Sequence, residues 1–335
     1  MKILIISDFN IGGQPTMLMR AINKYTEHEA RCIIAYDDSF VYDYDILLNK
    51  DNLAEAAALA NDWADFYHFG SYVFNFPGVD FNKLVRKDNS CIKYYGSYLR
   101  DNGERCREYH KQTGIAAITG TDWTITGLLP NSYYHLSSYF TKFGDMAEKD
   151  IPICDEYLID EMPLRIAISS AGHPNKGYQV LVDVINQLRR ENYGIELDII
   201  TGVSNYECLA RKQKCHVTFS SLGGGWGISG IESMYLGHVV LTNLDSFILS
   251  LHHDQPALLV DKDTLRDVIV NLALTRGATQ RLGKYSREWA LKTFSWEAIV
   301  EKYMYLLDHI RFQSEYLKGG TMSHLVKNKR EDDNE

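Results

Sequence analysis

Short apolar runs alternate with amphipathic stretches along most of the chain. KILIIS (2–7) is almost continuously apolar, the turn DFNIGG follows it, and TMLMRAINKY (16–25) then carries its apolar residues at helical spacing. Such a run, bounded by turn residues, fits a strand buried on both faces of a parallel sheet, and the amphipathic stretch fits a helix covering that sheet. The alternation continues. RCIIAY (31–36), DFYHF (65–69), CIKYY (91–95) and IAAIT (115–119) predict further strands of one series, and LRIAISS (164–170), ELDIIT (196–201), HVTFSS (216–221), HVVLTN (238–243) and ALLV (257–260) predict a second. Helical spacing returns in GYQVLVDVINQLRR, GISGIESMYL and TLRDVIVNLAL, while SREWALKTFSWEAIVEKYMYLLDHI reads as a helix, a break with Ser295 as N-cap, and a final amphipathic helix.

Two successive strand-helix series predict an α/β protein of two doubly wound, Rossmann-like domains facing each other across a cleft. The divisions are 1–155 for the N-terminal domain, 164–294 for the C-terminal one, 295–318 for the last helix and 321–335 for a loose polar tail, with the seam in the acidic stretch 150–163. A length of 335 residues suits two domains, and 45% hydrophobic content supplies a core for each. The formal charge of −9 argues against a general polyanion binder. Six cysteines without a CxxC pair read as reduced thiols. With no signal-peptide pattern and no run of eighteen apolar residues, the expectation is a cytoplasmic protein without stable membrane insertion.

The chemistry concentrates in SLGGGWGISGIESMYLGHVVLTNLD (221–245), where Gly225, Gly227 and Gly230 spell GxGxxG and Asp245 lies twenty residues after the first glycine. That spelling makes an NAD-dependent oxidoreductase one reading. Three features oppose it: the motif lies late in the chain, Gly237 ends its helix after about two turns, and Asp245 falls past the next strand. The more general physics survives, because a glycine-flanked helix start offers unpaired backbone N–H groups and the positive end of the helix dipole to a phosphate. Glu232, about one turn in, is either a first-turn acid that favours the dipole or a carboxylate turned towards hydroxyl groups such as those of a ribose.

These residues carry a resemblance. GGWGISGIESMYLGHVVLTN (224–243) resembles the donor-site signature of glycosyltransferase family 4 and its GT-B relatives, EGFGxxxxEAMAxGxPVV. SSAGHPNKGYQVLVDVINQL (169–188) is similar to that family's strand, Lys-Gly loop and helix, and REWALKTFSWEAIVEKY (287–303) to its C-terminal ending. GGQPTMLMRAI (12–22) and YYGSYLR (94–100) extend the similarity into the first half. The resemblance implies the GT-B fold and a hexosyl- or pentosyltransferase that moves a sugar from a nucleoside diphosphate sugar, expected to be a UDP-sugar, to a hydroxyl of a glycan or small molecule. It also implies retention of configuration and needs no metal or further cofactor.

Carried over by position, Glu232 matches the glutamate that holds the ribose hydroxyls, and Lys176 the lysine placed against the donor diphosphate. Gly227, Ile228, Ser229 and Gly230 present the amides, while Gly12 and Gly13 bring the N-terminal backbone close to the donor. An arginine common in the family is absent from SSAGHPNKG, with His173 its candidate substitute, and Gly224 replaces the family's first glutamate. The catalytic set is Lys176, Tyr95, where a histidine often contacts sugar or acceptor, and His68, placed after its strand towards the cleft. The acceptor side is expected in WADFYHFGSYVFNFPG (63–78), YYGSYLRDN (94–102) and PNSYYHLSSYF (130–140), whose aromatics either stack on a ligand or fill the core. Two alternatives stay open. One is a phage-type DNA glycosyltransferase acting on hydroxymethylated bases, although Arg100, Arg105, Arg107 and Lys111 alternate with Asp101, Glu104 and Glu108 as on a solvated helix face. The other is a non-catalytic nucleotide-sugar-binding relative.

Overall fold

In the computed structural model the described residues are 1–36, 44–94, 96–119, 129–136, 139–154, 163–169 and 176–317. The first apolar run forms β1 (Lys2–Phe9), whose six inner residues are all buried, and the glycine turn after it leads into α1 (Gln14–Tyr25). Next come β2 (Glu29–Tyr36), β3 (Ile46–Leu47), α2 (Leu53–Ala58), β4 (Phe66–Gly70), α3 (Phe81–Leu84), β5 (Ser90–Lys93), α4 (Gly96–Thr113), β6 (Ala116–Thr119) and β7 (Ser132–Tyr134). These strands make one parallel sheet in the order β3-β2-β1-β4-β5-β6-β7. Side chains alternate across β1. Ile3 and Ile5 face the core under α1, and Leu4 and Ile6 face the one shared with α4.

The second half repeats the scheme with β8 (Leu164–Ile168), α5 (Tyr178–Arg190), β9 (Ile195–Ile199), α6 (Asn205–Lys212), β10 (Val217–Ser221), α7 (Gly227–Tyr235), β11 (Val239–Thr242), α8 (Ser246–Leu251), β12 (Leu258–Leu259), α9 (Leu265–Leu274) and α10 (Arg276–Phe294). Its parallel sheet runs β12-β11-β10-β8-β9. Strand order reverses between β1 and β4 in the first sheet and between β8 and β10 in the second, and open α/β sheets bind ligands at the carboxyl ends beside such reversals.

Ser295 breaks the helical run with extended backbone (ψ 146°), and its hydroxyl accepts from Ala298 N at 3.2 Å to start α11 (Trp296–Leu317). This helix packs back on α1. The joint is polar as well as apolar. Trp296 Nε1 donates to Thr141 O at 2.7 Å, and the buried Arg287 guanidinium donates to the carbonyls of Glu148, Ile151, Pro152 and Tyr235. One apolar cluster accordingly runs from Ile3 and Leu18 through Trp226 and Met234 to Trp296 and Ile299.

Two strands were not foreseen. β3 has only two residues, too few for a periodic signal, and β7 lies inside the aromatic stretch PNSYYHLSSYF that was assigned to the acceptor side. Most of the expected seam, 155–162, and the expected tail, 321–335, lie outside the described residues.

The helix α10 packs so tightly on the turn after α7 that a Cβ on Gly283 would overlap the Gly237 carbonyl, whereas a Cβ on Gly103 meets nothing within 4 Å. Gly283→Ala should therefore lose about 1–3 kcal/mol of stability in urea unfolding, and Gly103→Ala should lose none. Equal midpoints for the two variants would show that the helix has room to move away.

Candidate functional site

The start of α7 is held from three sides. Below it, an added Cβ on Gly230 would sit 3.0 Å from Ser220 Oγ and 3.3 Å from Ser220 Cβ, so the first turn rides directly on β10. Beside it, Trp226 is fully buried, with rings of Tyr139, His252 and Phe294 packed edge-on at 5.7, 5.2 and 5.7 Å. Above it, the turn after β1 has Gly12 at φ 58° and Gly13 at φ 72°, and a Cβ on Gly12 would lie 2.9 Å from Ile228 Cδ1. Only glycine combines that left-handed backbone with so short an approach.

Lys176 and Gly177 complete the arrangement. Gly177, at φ 78°, starts α5, and a Cβ there would fall 2.6 Å from Leu222, whose N–H donates to the Lys176 carbonyl at 3.1 Å. The structure thus sets the Gly12–Gly13 turn against Ile228 in the first turn of α7, and Lys176 and Gly177 against Leu222 at the end of β10, five residues before that helix. Helix-start amides and a lysine are the donors that an anion requires. His173 and Tyr95 lie outside the described residues.

Glu232 lies one turn deeper and is 8% exposed. Its Oε2 pairs with Lys212 Nζ at 3.1 Å and its Oε1 accepts from Asn205 Nδ2 at 3.0 Å. Lys212, with no exposed surface, also donates to Ser229 Oγ at 2.9 Å and Ser229 O at 3.1 Å, so its three protons are all engaged. The Ser229 hydroxyl bonds Ser169 as well. The network offsets the charge of a buried carboxylate and fixes its rotamer, while leaving it lone pairs for further donors. Sequence reasoning missed Lys212 and Asn205. The signal was there in the Ser204 N-cap, which accepts from Glu207 N at 3.2 Å and marks the start of α6, putting Asn205 and Lys212 on one face at i and i+7.

His68 does not face the cleft. It lies inside β4, 1% exposed, with Nδ1 2.7 Å from Tyr303 Oη on α11 and 3.4 Å from Cys91 Sγ. Burial, with the charge of Lys93 added, pushes its pKa down to about 3, so the imidazole is a neutral core group covered by α11. Asp245, the acid of the dinucleotide reading, caps α8 instead by accepting from Phe247 N at 2.8 Å. The aromatic stretches divide. Phe66, Phe69, Tyr139 and Phe140 are core, whereas Tyr72, Phe74 and Tyr98 are only half-buried at the carboxyl end of the first sheet. Among the described residues no three His, Cys, Asp or Glu side chains are grouped to hold a metal ion, and no described helix is long and apolar enough to cross a membrane.

Lys212→Met removes one partner of a buried pair and should cost about 3–5 kcal/mol. Adding Glu232→Gln should recover part of that loss, and a double variant no more stable than the single one would show that the pair is not the source. For His68, folding depresses the pKa from 6.5 to about 3. Below pH 6.5 the unfolded chain then binds a proton that the folded chain refuses. Stability falls with decreasing pH, by about 1.4 kcal/mol per unit for this one group, and His68→Gln should flatten the urea-midpoint profile between pH 6 and 4 by that slope.

Comparison with known proteins agrees with this geometry at the level of fold. No family model matches the chain, and no curated protein matches it in sequence. Among solved structures, sucrose-phosphate synthase from Thermosynechococcus elongatus aligns over 93% of this chain and 99% of its own, with TM-score 0.57 and 14% identity. An alpha-glucosyltransferase in complex with UDP-glucose and DNA containing an abasic site aligns over 92% and 99%, with TM-score 0.60 and 12% identity. Anabaena HepE in complex with UDP and glucose aligns over 92% and 100%, with TM-score 0.62 and 12% identity. The chain has the two-domain, Rossmann-like GT-B fold that these glycosyltransferase structures share.

Proposed function

We propose that the protein is a cytoplasmic glycosyltransferase of the family 4 type that takes a UDP-sugar as donor and passes its hexosyl or pentosyl group to a hydroxyl of a glycan or small molecule. The observation that carries the reading is the packing of the Gly12–Gly13 turn on the α7 N-terminus, with the Lys176–Gly177 loop joined to Leu222 on the approach to that helix and a fixed carboxylate one turn deeper. The similarity in fold to structures solved with UDP, UDP-glucose or, for Arabidopsis thaliana starch synthase IV, ADP supports a nucleoside diphosphate as the common ligand.

In this reading the diphosphate lies against the amides of Ile228, Ser229 and Gly230 and the ammonium of Lys176. As the bond from the anomeric carbon to the diphosphate oxygen breaks, negative charge grows on that oxygen, and these preorganised donors stabilise it without a metal. The acceptor oxygen forms the new bond to the anomeric carbon, and its proton passes to the departing phosphate, giving retention of configuration. Glu232 accepts from the ribose hydroxyls and so anchors the nucleoside. His68 takes no part. The DNA-modifying reading draws on the alpha-glucosyltransferase bound to DNA among the similar structures. Here Arg105 and Arg107 alternate with exposed Glu104 and Glu108 along α4, which weakens a phosphate-backbone track.

Calorimetric titration with UDP, GDP, ADP and NAD tests the donor. UDP should bind, Glu232→Gln should weaken it roughly tenfold to a hundredfold as a charged hydrogen bond is lost, and Lys176→Ala should lower both diphosphate affinity and transfer rate. Binding of NAD alone, or UDP affinity indifferent to Glu232→Gln, would reject the assignment. Tight UDP-sugar binding without hydrolysis or transfer would mark a non-catalytic relative.

A further inference from the structure

A groove of about 620 Å³ lies between the end of α1 and the start of α11, lined by Tyr25, Glu27, His28, Glu297, Glu301 and Met304 among others. α1 ends at Tyr25 and β2 begins at Glu29, so the groove sits at the amino ends of the parallel strands, away from the carboxyl ends where the Gly12 turn meets α7. Both walls carry carboxylates. Glu27 stands on one, Glu297 and Glu301 on the other, and none of the three has an ion-pair partner among the described residues. No lysine or arginine is among the described residues that line the groove. The cations next to it are committed elsewhere, since Lys24 Nζ bonds Asp145 Oδ1 at 2.7 Å and the N-terminal ammonium lies 3.2 Å from His28 Nδ1.

The wall formed by α11 continues beyond the groove. Glu297, Glu301, Tyr305, Asp308 and Phe312 recur at i, i+4, i+8, i+11 and i+15, which places them along one side of the helix. The opposite side, with Ile299, Tyr303, Leu306 and Ile310, is sealed in the core. On the outer side Tyr305 is 78% exposed and Phe312 53%, and Met304 is half-buried between the groove and these rings. Arg311 borders the far end of the stripe, and Lys302 lies on a different side of the helix. Aromatic rings left open to water and rimmed by charge mark a surface that meets a partner.

We propose that this face docks a partner protein through a cationic amphipathic helix. Its lysines or arginines enter the groove between Glu27 and the Glu297–Glu301 pair, and its apolar residues lie on Met304, Tyr305 and Phe312. Charge decides the occupant. Unpaired carboxylates on both walls repel nucleic acid and anionic lipid, and a second copy of this chain brings a net charge of −9 of its own. A small polyamine would neutralise the glutamates and leave the rings bare. Length fixes the form of the partner, because the stripe from 297 to 312 is about 22 Å long, the span of a helix of about fifteen residues with anchors one turn apart. The surface lies outside the cleft, so the proposal stands apart from the transferase reading.

The test is fluorescence anisotropy on the full chain at about 0.15 M salt. The probe is a labelled helix of leucine and lysine only, about fifteen residues long, and its control carries glutamate in place of lysine. The lysine helix should bind and the glutamate helix should not. Binding should weaken about tenfold or more in Glu297→Lys/Glu301→Lys and in Tyr305→Ala/Phe312→Ala, and stay unchanged in Glu104→Lys/Glu108→Lys, a charge-matched change on α4. Circular dichroism and UDP titration of all three variants should match the wild type. Failure of the lysine helix to bind overturns the proposal, as does equal weakening by the α4 variant, which would show general attraction to an acidic chain. Binding that ignores the loss of the rings and is displaced by spermine would reduce the groove to a cation site. A dimer in sedimentation equilibrium that Tyr305→Ala/Phe312→Ala dissociates would give the face to a second copy, and either result overturns the docked helix.

Discussion

The candidate site depends on how closely glycine backbone can approach neighbouring side chains around the start of α7. Gly230 lies on Ser220, Gly12 meets Ile228, and Gly177 packs against Leu222. Each contact is at or below ordinary van der Waals range for an added Cβ, so at each join a glycine lets one segment rest directly on a side chain of the facing one. The Gly12 turn is thereby held against the first turn of α7, whose amides have no partner within the helix. A phosphate needs such amides, since its charge must be met by fixed donors in place of water.

Bringing those loops together costs the protein buried charge. Lys212 and Glu232 neutralise each other beneath α7, and Arg287 is satisfied by carbonyls at the seam between the two halves. Both arrangements leave no proton of the lysine and few lone pairs of the seam unused, which is how a buried ion escapes its desolvation penalty. Arg287 and Trp296 tie the start of α11 to the carbonyls of 141–152.

The aromatic residues show the same division of labour at the other end of the first sheet. Along WADFYHFGSYVFNFPG, Phe66 and Phe69 are sealed in the core, but after the strained turn at Ser71 the rings of Tyr72 and Phe74 come partly free. The turn changes what the same residue type does. In β4 an aromatic is buried by pairing on both sides, whereas past Ser71 Tyr72 lines a cavity open to solvent.

The sequence alone determined the two strand-helix series and the helix break at Ser295, because periodicity and capping are local properties written in consecutive residues, while Gly12, Lys176 and Glu232 were grouped only by the family resemblance. It left His68 and Lys212 undecided. His68 alternates with core residues and with cleft residues equally well until α11 is seen to cover it, and Lys212 reads as one more surface lysine until α6 is seen to bury it against Glu232. Burial and pairing join residues 235 positions apart in the first case and 20 in the second. Such distances carry no periodic signal, so only the tertiary structure decided which polar side chains belong to the core and which are left to meet a ligand.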